Sequence, residues 1–278
     1  MLLVSSWILA CAVCGAGERT LPANGNELAF AGRLRATVDA RAAAFAARTE
    51  PMRVVEVRTE PGASVAIGEG TLIGAAVPVL RRSIAVEGAA LDHVSLGDVE
   101  ARVSHVAWST GPAVVGRRLT ASASLKGPTA PIEHGVPTDL QPGCGSIVPG
   151  VGLTYTWTFS GSPLVSVWTS ATLLLPLSVR EGPHPGDSLR GSTTLQVQPS
   201  TWIATRASVH ARWDAAGDRD GAVDRGSGGA AVYAAPEIVL SPASDLVVSA
   251  GVSVPVVQAM RGYRVTAPIA LVGIGLDF

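Results

Sequence analysis

From residue 30 onward the chain alternates apolar and polar side chains with a period of two, in one segment after another. In GRLRATVDAR, Leu34, Ala36, Val38 and Ala40 alternate with Arg33, Arg35, Thr37, Asp39 and Arg41. In RRLTASASLK, Leu119, Ala121, Ala123 and Leu125 alternate with Arg118, Thr120, Ser122, Ser124 and Lys126. LRGSTTLQVQ sets Leu189, Thr193, Leu195 and Val197 against Arg190, Ser192, Thr194, Gln196 and Gln198. WIATRASVHARW sets Ile203, Ala207, Val209 and Ala211 against Arg206, Ser208, His210 and Arg212. Successive side chains of a strand point to opposite faces, so each segment reads as a strand with one apolar face and one wet face.

Composition narrows what such strands build. Charged residues make up 15% of the 278, against roughly 25% in an average soluble domain. Hydrophobic residues make up 47%, yet after the first fourteen positions no apolar run approaches the ~18 residues of a spanning helix. Two classes fit: a secreted soluble β-sandwich, or a membrane β-barrel whose apolar residues are diluted by alternation. The apolar face is Val, Leu, Ala and Ile with few Phe, which suits contact with lipid as well as a core. A net charge of −1 and the lack of a basic, aromatic-laced cluster argue against a nucleic-acid partner.

The breaks between segments have their own rhythm. EPG at 60–62, SGSP at 160–163, QPST at 198–201 and SPAS at 241–244 are tight, whereas 81–96, 127–146, 178–187 and 214–228 are long and polar or rich in Gly and Pro. Short turns at one end and long loops at the other are the layout of an outer-membrane barrel. The expectation is an all-β, antiparallel transmembrane barrel of about twelve strands. They fall near 29–46, 52–59, 63–80, 97–108, 117–126, 147–159, 163–177, 187–198, 201–213, 229–240, 245–257 and 263–278, with ten strands as the alternative around 47–80. On this layout Phe30, Trp108, Trp157, Phe159, Trp202 and Phe278 fall at the periplasmic ends. Phe45, Trp213 and Tyr263 fall at the outer ends, and Tyr155, Trp168 and Tyr233 lie further in. Trp108 and Trp202 fall on the lumen parity.

The apolar start, MLLVSSWILACAVC, reads as the core of a secretory signal over residues 1–12, although no Lys or Arg precedes it. A Cys-containing segment over 13–28 precedes the barrel over 29–278. Cys11 and Cys14 are compatible with processing, with a short disulfide or with a metal clip, and the first two are favoured over metal. Haem attachment is excluded, because Gly15 stands where a c-type site has His. No cofactor is expected.

Nothing in the chain reads as catalytic machinery, so no enzyme is expected. His93, His134 and His184 fall in outer loops, and His105 and His210 fall in strands. Ser104 and His105 are adjacent and so point to opposite faces. Ser208 and His210 share a face and read as an ordinary polar lumen pair. The acids of DAAGDRDGAVD miss the spacing of an EF-hand loop.

The inward parity instead collects charge: Arg33, Arg35, Asp39, Arg41, Glu56, Arg58, Asp98, Glu100, Arg102, Arg118, Lys126, Arg190, Arg206, Arg212 and Glu237. Both signs occur, with basic residues in excess. Such residues pair across strands and stiffen a narrow barrel, or they line a pore and bias it toward anionic or polar solutes.

The closing segment, ALVGIGLDF, places Val272, Ile274, Leu276 and Phe278 on one face. An aromatic end with apolar residues at alternate preceding positions resembles the sorting signal of bacterial outer-membrane barrels. That resemblance implies recognition of the last strand by the barrel-assembly machinery, by edge pairing with a pocket for the ring. Further stretches resemble a narrower group, the outer-membrane transporters related to the phenol-degradation meta-pathway barrel proteins. They are SLGDVEARVSHVAW, ASASLKGPTAP, DLQPGCGSIVPGVGLTY and VYAAPEIVLSPASDLVVSAGVSVPV. The resemblance implies a lipid-embedded channel for passive passage of small-molecule solutes. A barrel that anchors or sheaths a periplasmic redox partner is the alternative.

Overall fold

The computed structural model describes residues 32–47, 52–86, 89–111, 115–130, 143, 145–178, 184–219, 222–223, 225, 227–261 and 263–278. The leader, Cys11, Cys14, Phe30, His134 and Cys144 lie outside the described residues. The strands are β1 (Leu34–Ala47), β2 (Met52–Ala66), β3 (Thr71–Ala76), β4 (Val79–Val86), β5 (Ala89–Leu96), β6 (Glu100–Thr110), β7 (Gly116–Lys126), β8 (Ser146–Phe159) and β9 (Leu164–Leu174). They continue as β10 (Leu177–Ser178), β11 (Ser188–Ser200), β12 (Ile203–Asp214), β13 (Asp218–Arg219), β14 (Ala222–Val223), β15 (Gly229–Ala243), β16 (Leu246–Gln258), β17 (Tyr263–Val265) and β18 (Ile269–Asp277).

Sixteen of these strands form one sheet, and the β1–β2 pairing closes it on itself. Four of the sixteen continue an interrupted neighbour: β4 extends β3, β6 extends β5, β10 extends β9 and β18 extends β17. Twelve positions therefore make the wall of an antiparallel barrel. Directly opposed residues run from Arg35 through Ser64, Gly74, Arg102, Ser124, Gly150, Leu174, Ser188 and Asp214 to Gly229, at the long-loop end of β15. In the other direction Arg35 faces Asp277, at the tight-turn end. This offset is the stagger that tilted strands need to close.

Alternation sorts the wall. On β1, Leu34 and Val38 are 44% and 43% exposed outside, whereas Arg35 and Arg41 are buried within. On β8, Val151, Leu153, Tyr155, Trp157 and Phe159 project outward, and Thr156 and Thr158 are buried on the lumen side. Burying a Val, Leu or Ile side chain is worth about 1.5–3 kcal/mol. An apolar band this continuous is stable only where hydrocarbon surrounds it. A single closed sheet with its charges inside is not a sandwich, so the soluble reading is set aside. Arg117 is the outward cation near the tight end, 4.7 Å over the Trp157 ring, which itself lies 4.2 Å from Phe159.

The wall departs from the expected layout over 60–110. EPG at 60–62 is not a turn but lies within β2, and the turn is at 67–70, where Gly68 and Gly70 have φ of 146° and 78°. Pro61 is tolerated because it sits opposite the break between β3 and β4, where its carbonyl accepts from Val77 N at 3.0 Å. A proline there removes no ladder bond. The segment 81–96 is not a loop but falls within the β4–β5 hairpin. Breaks at Val77–Pro78, at 97–99 and at Gly127 continue across the neighbouring strands, joined by Gly97 N to Pro78 O and Gly127 N to Val99 O.

Two tryptophans also differ from expectation. A bulge between Val106 and Trp108 puts two residues against one step of β7. Trp108 thereby moves from the lumen parity to the outside, pairs with Leu119 and is 46% exposed. Trp202 lies in the tight turn after β11 and is 58% exposed. Phe45, expected at an outer strand end, is buried in an apolar cluster inside the barrel with Val54, Leu80, Tyr233 and Ile269.

Candidate functional site: the barrel lumen

The lumen has two unlike sides. On the arc of β1, β2, β4, β15, β16 and β18 it is filled. Toward the long-loop end, Phe45, Val54, Leu80, Ile84, Tyr233, Met260 and Ile269 form a continuous apolar cluster. Beside it Glu56, 1% exposed, accepts a hydrogen bond from Arg82 Nε at 2.8 Å and lies 3.9 Å from Arg41. Arg58 pairs with Glu60 at 2.8 Å. Arg212 on β12 pairs with Asp214 at 2.5 Å. Charged groups this enclosed are stable only because each has a partner.

At the tight-turn end two further clusters form. Arg33 and Arg35 converge on Asp277 across the β1–β18 seam, with Arg35 Nε and Nη2 donating at 2.6 Å. Arg206 donates to Gln196 at 2.7 Å, lies 3.7 Å from Glu237 and sits 5.5 Å over the Trp168 ring. Arg118 and Asp39 face inward at intermediate exposure.

On the other arc, β6 to β11, small inward residues stand among larger ones such as Trp168: Ser122, Ser124, Gly150, Gly152, Thr154, Ser170, Thr172, Ser192 and Thr194. Their hydroxyls bond to one another, Ser170 to Ser192 at 2.7 Å and Thr194 to Ser208 at 2.8 Å. A recess on this side is lined by Glu100, Arg102, Lys126 and Arg190, with Ser122, Ser124 and Thr172 between them. Arg102 donates to Ser122 Oγ at 3.2 Å. Asp98 does a different job from the other inward charges. It is buried and accepts from Ala130 N at 3.1 Å, while Thr129 Oγ1 accepts from Val99 N at 2.7 Å. Asp98 thus pins the start of the segment after β7.

Among the histidines, His105 faces outward and bonds Thr71 Oγ1 at 2.8 Å, and Ser104 faces inward. His210 and Ser208 share the lumen face. The structure adds Arg82, Glu60 and Asp214 to the lumen charges. Each falls in a stretch, 60–62, 81–96 or 214–228, whose Gly, Pro or polar residues read as turn or loop. Of the four residues marked for assembly, Val272, Ile274 and Leu276 alternate outward on β18, and Phe278 is 68% exposed.

No family model matches the chain, and no curated protein sequence does. Solved structures do. An outer-membrane channel from Pseudomonas putida F1 superposes with a TM-score of 0.72 at 9% identity, covering 90% of this chain and 96% of the other. The translocator domain of the autotransporter NalP from Neisseria meningitidis superposes with a TM-score of 0.51 at 14% identity, covering 92% of each chain. At these identities the likeness is one of fold: the chain shares the closed antiparallel β-barrel architecture of these proteins, here with twelve strands.

Proposed function

We propose that this barrel resides in the bacterial outer membrane and passes small solutes by passive diffusion, with its inward charges setting selectivity. The observation that carries this reading is the unequal lumen. One arc is packed by apolar and ion-paired side chains, and the other is carpeted with Ser, Thr and Gly beside Arg102, Lys126 and Arg190. A barrel serving only as a rigid anchor gains stability from bulky side chains on every strand, whereas small residues on four neighbouring strands leave cross-section open. The fold of the Pseudomonas putida outer-membrane channel supports the same reading. No step requires bond chemistry, a cofactor or a metal. Purified protein reconstituted into liposomes is expected to admit small sugars and amino acids in a swelling assay. Absence of both swelling and single-channel current would refute the channel and favour the anchoring role.

Assembly belongs to the same proposal. The outward row Val272, Ile274, Leu276 and Phe278 on β18 is the surface we assign to the barrel-assembly machinery.

A further inference from the structure

We infer that the recess on the small-residue arc is a binding subsite for a small organic carboxylate in transit. The inference rests on the channel reading and names a solute class for it. Three cations, Arg102 from β6, Lys126 from β7 and Arg190 from β11, line the recess with one carboxylate, Glu100. Two positive charges are therefore in excess there. A narrow, low-dielectric lumen focuses such an excess on passing anions.

The geometry adds shape to charge. Between the two arginines β8 offers only Gly150 and Gly152. A Cβ at Gly150 would stand 2.5 Å from Ser124 Oγ, and one at Gly152 would stand 2.8 Å from Ser122 Oγ and 2.9 Å from Thr172 Oγ1. Hydroxyls thus occupy the level where side chains would begin, and they form a polar floor. Arg102 on β6 and Arg190 on β11 flank that floor in the strand order. Planar forks match a carboxylate with paired hydrogen bonds better than they match a spherical ion. Val148 and Leu174 also line the recess, so a short hydrocarbon body is accommodated beside the charged head. Arg190 stands directly opposite Arg212 in the ladder, and Arg212 pairs with Asp214.

The test uses the full chain in planar bilayers carrying a KCl current. Butyrate is the probe, butyramide is its uncharged isostere and inorganic phosphate is the competing anion. Butyrate is expected to reduce the current saturably, and butyramide is not. In Arg102→Gln/Arg190→Gln the half-blocking butyrate concentration should rise at least tenfold. Arg81→Gln, which removes an outward cation with a side chain 67% exposed, should leave it unchanged. Heat-modifiable gel mobility checks that each variant is folded. Conduction without butyrate block, or block unaltered in the double variant, overturns the subsite while leaving the channel standing. Phosphate blocking as well as butyrate overturns the carboxylate assignment. If the wild type carries no current and shows no liposome swelling, the channel reading fails instead. Equilibrium dialysis of labelled butyrate against the detergent-solubilised barrel then decides the subsite, with binding lost in the double variant as the expected result and no wild-type binding as the contrary one.

Discussion

Glu56 shows how a charged residue is kept inside a membrane barrel. It holds Arg82 at 2.8 Å with 1% of its surface exposed, and Arg41 lies on its other oxygen at 3.9 Å. Glu56→Ala would remove the carboxylate that lies between two enclosed guanidiniums. Breaking a buried pair from one side typically costs about 3–5 kcal/mol. Arg81 and Asp92 pair at a similar distance, 3.1 Å, but in the open, and Asp92→Ala should cost no more than about 1 kcal/mol. Urea unfolding in lipid vesicles, followed by the loss of heat-modifiable mobility, compares the two variants. Equal losses would show that enclosure does not govern the strength of these pairs. Arg82 could not be recognised from sequence for a physical reason. Leu80, Arg82 and Ile84 share one face of β4, and Arg81, Ser83 and Ala85 share the other. Both faces are mixed, so period-two contrast vanishes where the inner face packs an ion pair into an apolar cluster.

At the scale of elements, alternation carried the reading wherever a strand met lipid on one side and a wet lumen on the other, as in β1, β7, β11 and β12. It was silent wherever the ladder is broken. EPG carries turn-forming residues, yet Pro61 lies in mid-strand because a break in the adjacent strand leaves its missing donor unneeded. The bulge before Trp108 is a second such break. One residue out of step, it reverses the facing of everything beyond it, and no local residue pattern announced it. A variant with Trp108 as the sole tryptophan is therefore expected to be quenched by brominated lipid and shielded from acrylamide. Quenching by acrylamide alone would return Trp108 to the lumen and remove the bulge. Deleting Ala107 should preserve lipid quenching, because a regular ladder from Val106 then also places Trp108 outside.

For the molecule as a whole, closure of the last strand is seen in the structure, recognition of its outward row during assembly is our proposal, and the two rest on different physics. Closure joins β18 to β1. Phe278 N donates to Leu34 O at 2.8 Å, Leu34 N donates to Phe278 O at 3.2 Å, and Asp277 ties the seam inside through Arg33 and Arg35. The Phe278 ring takes no part in that closure, since it stands outside and 68% exposed. A ring that packs on little in the finished barrel adds little to its stability, but it is presented to any machine that captures the strand before closure. Phe278→Ala should therefore lower the amount of barrel in the outer-membrane fraction several-fold while leaving the unfolding midpoint of the assembled fraction nearly unchanged. Asp277→Ala should do the reverse. Its loss leaves two arginines facing each other at the seam, at a cost of about 2–3 kcal/mol, below that of a fully enclosed pair because Arg33 is 29% exposed. The outward row that the assembly machinery would read is untouched by that change. Measuring both quantities for both variants gives a crossed pattern if recognition and closure are separate. If Phe278→Ala instead lowers stability as much as Asp277→Ala does, the ring is a structural part of the seam, and its assignment to assembly fails.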